Sequence, residues 1–323
     1  MYRDLNIFYI CRMNKRRHIL FLFISIVLLI VTCVADLTWG GIADADIMKH
    51  LRLPRMATAL LAGAAMALSG SQMQSIFRNP LADPHIMGIS SGASLGAALA
   101  TMYAGATFGG APVAVAAAAG AAGAAAIILY ASGRFRNASI LLIFGVMLGF
   151  IITAIVSILQ FSSDAESLKI FYSWSAGSFT NTTWTETAII AVTLAAGLII
   201  ALFNHKGLDL ILFGDEFTEL SGGTPSNIRL SALLSCSLMT GAVTAFCGPL
   251  GFVGIIGPHI AKALLGTSSH KFVLPASLLT GSLIGVCADP ISRMTPSPMP
   301  VASTMALLGI PVILYIMLKR PEL

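Results

Sequence analysis

Apolar runs of about twenty residues recur along almost the whole chain, and nearly every charged residue falls at their ends or in the breaks between them. A run of that length matches the thickness of a lipid hydrocarbon core. Of 323 residues, 56% are hydrophobic and only 10% are Asp, Glu, Lys or Arg, and the mean hydropathy is +0.86. A soluble domain carries about 25% charged residues. So few charges cannot furnish a water-facing surface, so lipid must be the solvent.

Ten runs read as spans, at roughly 18–36, 55–77, 85–104, 111–132, 138–161, 186–204, 228–247, 250–266, 272–289 and 300–318. The expected fold is an all-α integral membrane protein of about ten transmembrane helices, with residues 1–323 forming one domain. Lys15, Arg16 and Arg17 precede the first run, the layout shared by a signal peptide and a first span. With no A-x-A site after it, the run reads as an uncleaved helix behind a basic cytoplasmic segment, residues 1–17.

The net charge of +5 reflects basic residues scattered singly between helices rather than a nucleic-acid-binding patch. With the N-terminus inside, ten spans put 14 Lys and Arg on the cytoplasmic side and 5 outside (Lys49, Arg52, Arg55, Lys169, Arg293). That is the sense of the positive-inside rule, and an even count puts both termini in the cytoplasm. Ala59, Gly63, Ala67 and Ser71 form a small-residue stripe, as do Gly88, Gly92, Gly96 and Ala100, and Ala116, Gly120 and Ala124. Helices in lipid associate by close backbone approach at such stripes.

Two segments are not spans. Residues 162–185 contain an aromatic centre, Phe171 to Trp174, and read as a short interfacial helix on the outer side. Residues 205–227 form a polar cytoplasmic loop with Asp209, Asp215, Glu216 and Glu219, too long for a plain connector and therefore a docking surface.

The energy source follows from residues that are missing. Ion-coupled carriers place a carboxylate near the midplane, whereas here only His259 and Lys262 interrupt an apolar stretch. The chain has no G-x-x-x-x-G-K-[ST] element to cradle ATP phosphates. Five cysteines show no metal-ligand spacing, and no Ser/His/Asp spacing suggests catalysis. Energy for transport must then enter through a partner. A self-contained secondary carrier is the alternative, and a membrane enzyme a third reading that lacks clustered catalytic side chains.

The order of motifs resembles the FecCD-type permeases, the membrane subunits of iron-siderophore, haem and cobalamin importers. The matching segments are LRLPR (51–55), LLAGAAMALSGSQMQ (60–74), RNPLADPHIMGISSGASLGA (78–97), SWSAGSFTNTTW (173–184), FGDEFTELSGG (213–223), GPLGFVGIIGPHIAK (248–262) and SPMPVASTMALLGIPVILYIMLKR (297–320). The resemblance implies a homodimer in the bacterial inner membrane, two cytoplasmic ATP-binding subunits beneath it and an extracytoplasmic substrate-binding protein above. It implies that the chain binds no cofactor itself, ATP being used by the partner subunit. Arg52, Arg55 and Arg293 fall where the family docks glutamates of the binding protein, and arginine's bidentate fork suits that task. Asn79 and Leu81 match the cytoplasmic gate. Gly214, Asp215, Glu216, Glu219 and Gly222 match the ATPase coupling loop, although the family often has a small and a basic residue at Phe217 and Glu219. The repeated Pro-His-Ile at 84–86 and 258–260 fits a bundle of two related halves.

Overall fold

A computed structural model of the chain describes residues 15–38, 44–103, 110–135, 137–180, 182–294 and 299–319. The basic segment before Lys15, together with Arg136 and Arg320, lies outside the described residues. All described regular structure is helical: α1 (Lys15–Thr38), α2 (Leu53–Ile76), α3 (Ile89–Tyr103), α4 (Gly110–Arg134), α5 (Ala138–Phe161), α6 (Ala165–Ser175), α7 (Trp184–Ile211), α8 (Asp215–Leu220), α9 (Pro225–Cys247), α10 (Val253–Leu265), α11 (His270–Ser292) and α12 (Val301–Lys319). A short turn, Ala45–Ile47, and a wider π-turn, Met48–Arg52, lead into α2.

The expectation of about ten spans is corrected to seven. Among the described residues seven helices are long and apolar enough to cross a membrane: Leu20–Thr38, Ala45–Ile76, Pro112–Arg134, Ala138–Phe161, Trp184–Ile211, Pro225–Cys247 and His270–Ser292. The runs expected at 85–104, 250–266 and 300–318 form shorter helices. The first starts only at Ile89, because the Pro80–Pro84 turns precede it, and has 15 residues. The second has 13, bounded by positive-φ Phe252 and a left-handed Gly266. At 1.5 Å per residue, both fall short of the roughly 30 Å core. The third contributes the apolar stretch Val301–Tyr315. Counting apolar residues overlooked these backbone breaks, and the parity argument for the termini falls with the count.

Helix α2 is the axis of the bundle, buried without interruption from Ala62 to Phe77 and packed by α7, α9, α10 and α11. A second group, α3, α4 and α5, packs beside it, with α9 bridging the two. The small-residue stripes are the crossing points. A Cβ added to Gly63 would lie 2.1 Å from the Gly281 carbonyl oxygen, and one added to Gly285 would lie 2.2 Å from that of Ala59. Gly92 and Gly120 meet in the same way between α3 and α4. No side chain longer than hydrogen fits at these contacts.

The two Pro-His-Ile segments are not placed alike. Pro84–Ile86 lies in the turn before α3, whereas Pro258–Ile260 lies inside α10. Pro258 lacks an N–H for the Gly254 carbonyl, and the Gln74 side-chain amide reaches that oxygen at 3.5 Å and Ile255's at 3.3 Å. Asp83 accepts N–H groups from His85 (2.9 Å) and Phe252 (3.2 Å), tying the two segments together. Burial pushes its carboxyl above the ordinary aspartate value, against the lowering effect of those N–H groups.

Candidate functional site

The 24 residues of α2 separate two polar regions by about 36 Å. At its C-terminal end, Arg78 takes a left-handed conformation (φ 49°). Its N–H donates to the Ser75 carbonyl at 3.2 Å, and the Asn79 N–H reaches back to that of Gln74 at 3.1 Å. This is the Schellman termination, usually built on glycine. For a residue with a Cβ the left-handed state costs about 1–2 kcal/mol. Asn79 then accepts the Leu81 N–H at 2.9 Å, which rounds the turn and leaves the Leu81 side chain exposed.

Against this turn lies the segment expected as a coupling loop. It is more helical than polarity suggested: α7 runs through Ile211, α9 begins at Pro225, and α8 sits between them. Gly214 (φ 109°) and Gly222 (φ 81°) bracket α8, both in conformations that favour glycine. Buried Thr218 donates to the Gly214 carbonyl at 2.7 Å. Asp215 receives the guanidinium of buried Arg229 at 2.5 Å, and Arg78 faces the same carboxylate at 4.0 Å. The outward face of α8 carries Glu216, Phe217, Glu219 and Leu220, and Phe213 stacks on Phe217 with centroids 5.2 Å apart. Leu220 is 89% exposed. Phe213, Phe217 and Leu220 thus form an exposed apolar patch edged by Glu216 and Glu219.

Sequence reasoning missed a polar chain at the same end. His270 Nδ1 lies 2.6 Å from Asp209, and its Nε2 lies 2.6 Å from the Ser75 hydroxyl. Asp209 also accepts the His270 backbone N–H at 2.7 Å. The order Asp–His–Ser is that of a hydrolase triad, but His270 and Ser75 have no exposure at all, and Ser75 Oγ also sits 2.9 Å from the Ser71 carbonyl. No substrate reaches that oxygen, so the chain is a structural link joining α7, α11 and α2. The signal was faint: three polar residues at the ends of apolar runs, up to 195 positions apart.

At the opposite end the structure brings Arg55 and Arg293 together. Asp289, fully buried, accepts Arg55 Nε at 2.7 and 2.9 Å, and Arg293 at 2.8 Å. Arg293 also pairs with Asp36 on α1. Arg52 donates to the Leu37 carbonyl at 2.7 Å. The three arginines therefore share one end of the bundle, and each has an internal partner that sequence reasoning did not supply. Nearby, a cleft of about 780 Å³ is lined by Glu166 and Lys169 of α6, Trp174, Ser178 and Glu186. Among the described residues no group of three His, Cys, Asp or Glu is arranged to hold a metal ion.

Comparison with known proteins places this architecture. The chain matches the FecCD transport family over residues 18–319. It is 31% identical to the hemin transport system permease protein HmuU of Yersinia pestis over 285 residues, covering 85% of this chain and 84% of that protein. It is 33% identical to the cobalamin import system permease protein BtuC of Halobacterium salinarum over 294 residues, covering 90% of this chain and 79% of that protein. A solved structure described as a metal-chelate type ABC transporter in an inward-facing conformation superposes with a TM-score of 0.85 at 28% identity, covering 92% of this chain and 98% of that one. These matches remove the self-contained secondary carrier. This multi-pass membrane protein belongs to the FecCD transport family and is the permease subunit of an ABC importer, without an ATPase site of its own.

Proposed function

We propose that this permease moves an iron chelate (siderophore or haem) or cobalamin inward across the bacterial cytoplasmic membrane, working as a homodimer with two ATP-binding subunits and an extracytoplasmic binding protein. The names of its relatives support the ligand class, since hemin, cobalamin and iron(3+)-hydroxamate systems all fall among them. The observation that carries the mechanism is α8: a helix anchored on one side through Asp215 and Thr218, with Phe217 and Leu220 presented outward. In this reading α8 with its flanks Gly214 and Gly222 is the ATPase coupling element, facing the cytoplasm. Asn79 and Leu81 form the cytoplasmic gate. Arg52, Arg55 and Arg293 form the docking site for the binding protein on the outer face. The basic residues ahead of the first span put the N-terminus in the cytoplasm, and a reporter fused at Met1 should read inside; an outside reading would overturn the orientation.

Deleting residues 214–222 tests the central claim. The shortened chain should remain in the membrane and lose co-purification of the ATPase subunit. Retained co-purification would remove α8 from the coupling role.

A further inference from the structure

We propose that Arg78 is the positioning residue that carries movement of α8 to the Asn79–Leu81 turn. The inference rests on α8 as the ATPase contact and on Asn79 and Leu81 as the mouth. Three observations lead to it.

First, Arg78 holds a left-handed backbone that glycine adopts without strain (φ 49°), in the turn that positions Asn79. Second, its side chain offers little stability in return. It is 45% exposed, and its contact with Asp215 is a long 4.0 Å. Exposed pairs of that kind contribute little. Third, Asp215 already has a close cation. Arg229 lies at 2.5 Å and is 3% exposed, so Arg78 is not needed to neutralise the carboxylate.

The surroundings divide into a fixed frame and a movable arm. The Asp209–His270–Ser75 chain fastens the end of α7 and the start of α11 to α2 three residues before Arg78. Arg229 tethers the Asp215 carboxylate to α9, so the first turn of α8 swings about that ion pair and not away from it. Gly214 and Gly222 are the backbone points at which α8 can pivot between those anchors. A Cβ on Gly214 would come within 3.3 Å of Arg78 Nη1, so the pivot and the guanidinium are immediate neighbours. A shift of α8 by an ångström or so then closes or opens the Arg78–Asp215 contact. Because Arg78 is also the terminating residue of α2, that change acts on the backbone of Asn79 and Leu81 directly. The frame keeps α2 itself still, so the motion is delivered to the turn and not dispersed through the bundle.

The test uses the assembled importer, chain plus ATPase subunits, in a background lacking the native cysteines. Leu81→Cys reports the mouth and Glu216→Cys reports α8, each by its rate of maleimide labelling with and without ATP and vanadate. In the parent, both rates should depend on nucleotide. Arg78→Asn keeps a residue that tolerates the left-handed state and removes the charge. In this variant Glu216→Cys should still respond, while the response at Leu81→Cys should shrink by about two- to fivefold, the most an exposed pair can carry. Arg78→Lys should restore it. The thermal midpoint of Arg78→Asn should equal or exceed that of the parent. An unchanged Leu81→Cys response in assembled Arg78→Asn overturns the inference, and so does a lowered midpoint, which would make Arg78 a structural residue. Failure of Glu216→Cys to respond in the parent marks a different fault, namely that α8 is not the ATPase contact.

Discussion

Asp289→Asn offers the sharpest test of how the bundle is held at the end where Arg55 and Arg293 meet. The Asp289 carboxylate is fully buried and serves two guanidiniums, Arg55 at 2.7 Å and Arg293 at 2.8 Å. Arg293 keeps Asp36 after the substitution, whereas Arg55, 14% exposed, loses its carboxylate. Breaking a buried pair by removing one partner costs about 3–5 kcal/mol, because the other charge is left uncompensated. Asn can still accept one hydrogen bond, so the lower end of that range is expected. The double replacement Arg55→Met with Asp289→Leu removes both charges and should recover most of the loss, since apolar replacement of a buried pair is often neutral. The assay is equilibrium unfolding in detergent micelles, run as a double-mutant cycle. A cost below about 1 kcal/mol for Asp289→Asn, the value of a solvated surface pair, would show that no buried charge pair holds Arg55. That outcome would favour docking, because it would mean that Arg55 is free to meet a carboxylate on the binding protein. The expected outcome has a different consequence for docking: a binding-protein glutamate must compete with Asp289, so charge reversal at Arg55 has to be read beside a stability measurement.

Two further predictions concern packing and capping. Gly281→Val should lower the unfolding midpoint, at a cost of at least about 1–3 kcal/mol, because its Cβ would stand 2.2 Å from the Gly63 carbonyl oxygen and no rotamer relieves a backbone contact; Gly123→Ala, with nothing within 4 Å, should be neutral or stabilising. Asp164 caps α6 by accepting the N–H groups of Glu166 and Ser167 at 3.0 Å, and the hydrogen bonds from Ser167 hold its carboxyl below the ordinary value. A depressed folded-state pKa stabilises above the unfolded value and is lost as pH falls through the folded one. Amide exchange at Leu168 should therefore accelerate below the normal aspartate range, and an unchanged rate would show that the cap does not hold this turn.

Much of the fold was legible because lipid imposes one-dimensional rules. Long apolar runs became helices, and the stripes at Gly63 and Gly92 became crossings, since small residues at fourfold spacing face one way on a helix. The span count was not legible: Phe252 with positive φ and the turns before Ile89 shorten helices without altering apolar content. At the candidate site, the segment 205–227 stood out by its polarity, but its anchors did not. Arg229 and Arg78 approach Asp215 only through tertiary packing, 14 and 137 positions away in sequence. The cluster at Asp289 was missed for a related reason. Asp36 and Asp289 sit at the ends of apolar runs, where a charge passes as solvated. Three arginines expected at the same end were a usable clue to internal pairing.

The enclosed position of α2 has a consequence for how the protein is made. Its span is the least apolar of the seven, and from Ala62 to Phe77 it has no side that tolerates lipid, since Ser69, Ser71, Gln72, Gln74 and Ser75 are all buried by neighbours. Those neighbours, α7, α9, α10 and α11, are synthesised only afterwards, the last ending at Ser292. At about 5–20 residues per second, α2 waits roughly 10–40 s for its full set of partners. During that interval its glycines and glutamines face lipid or the insertion machinery. Biogenesis of this chain therefore passes through a stage in which the second helix is held in place before most of its permanent contacts exist. Substitutions that make α2 more polar will act first on yield in the membrane, ahead of any effect on transport.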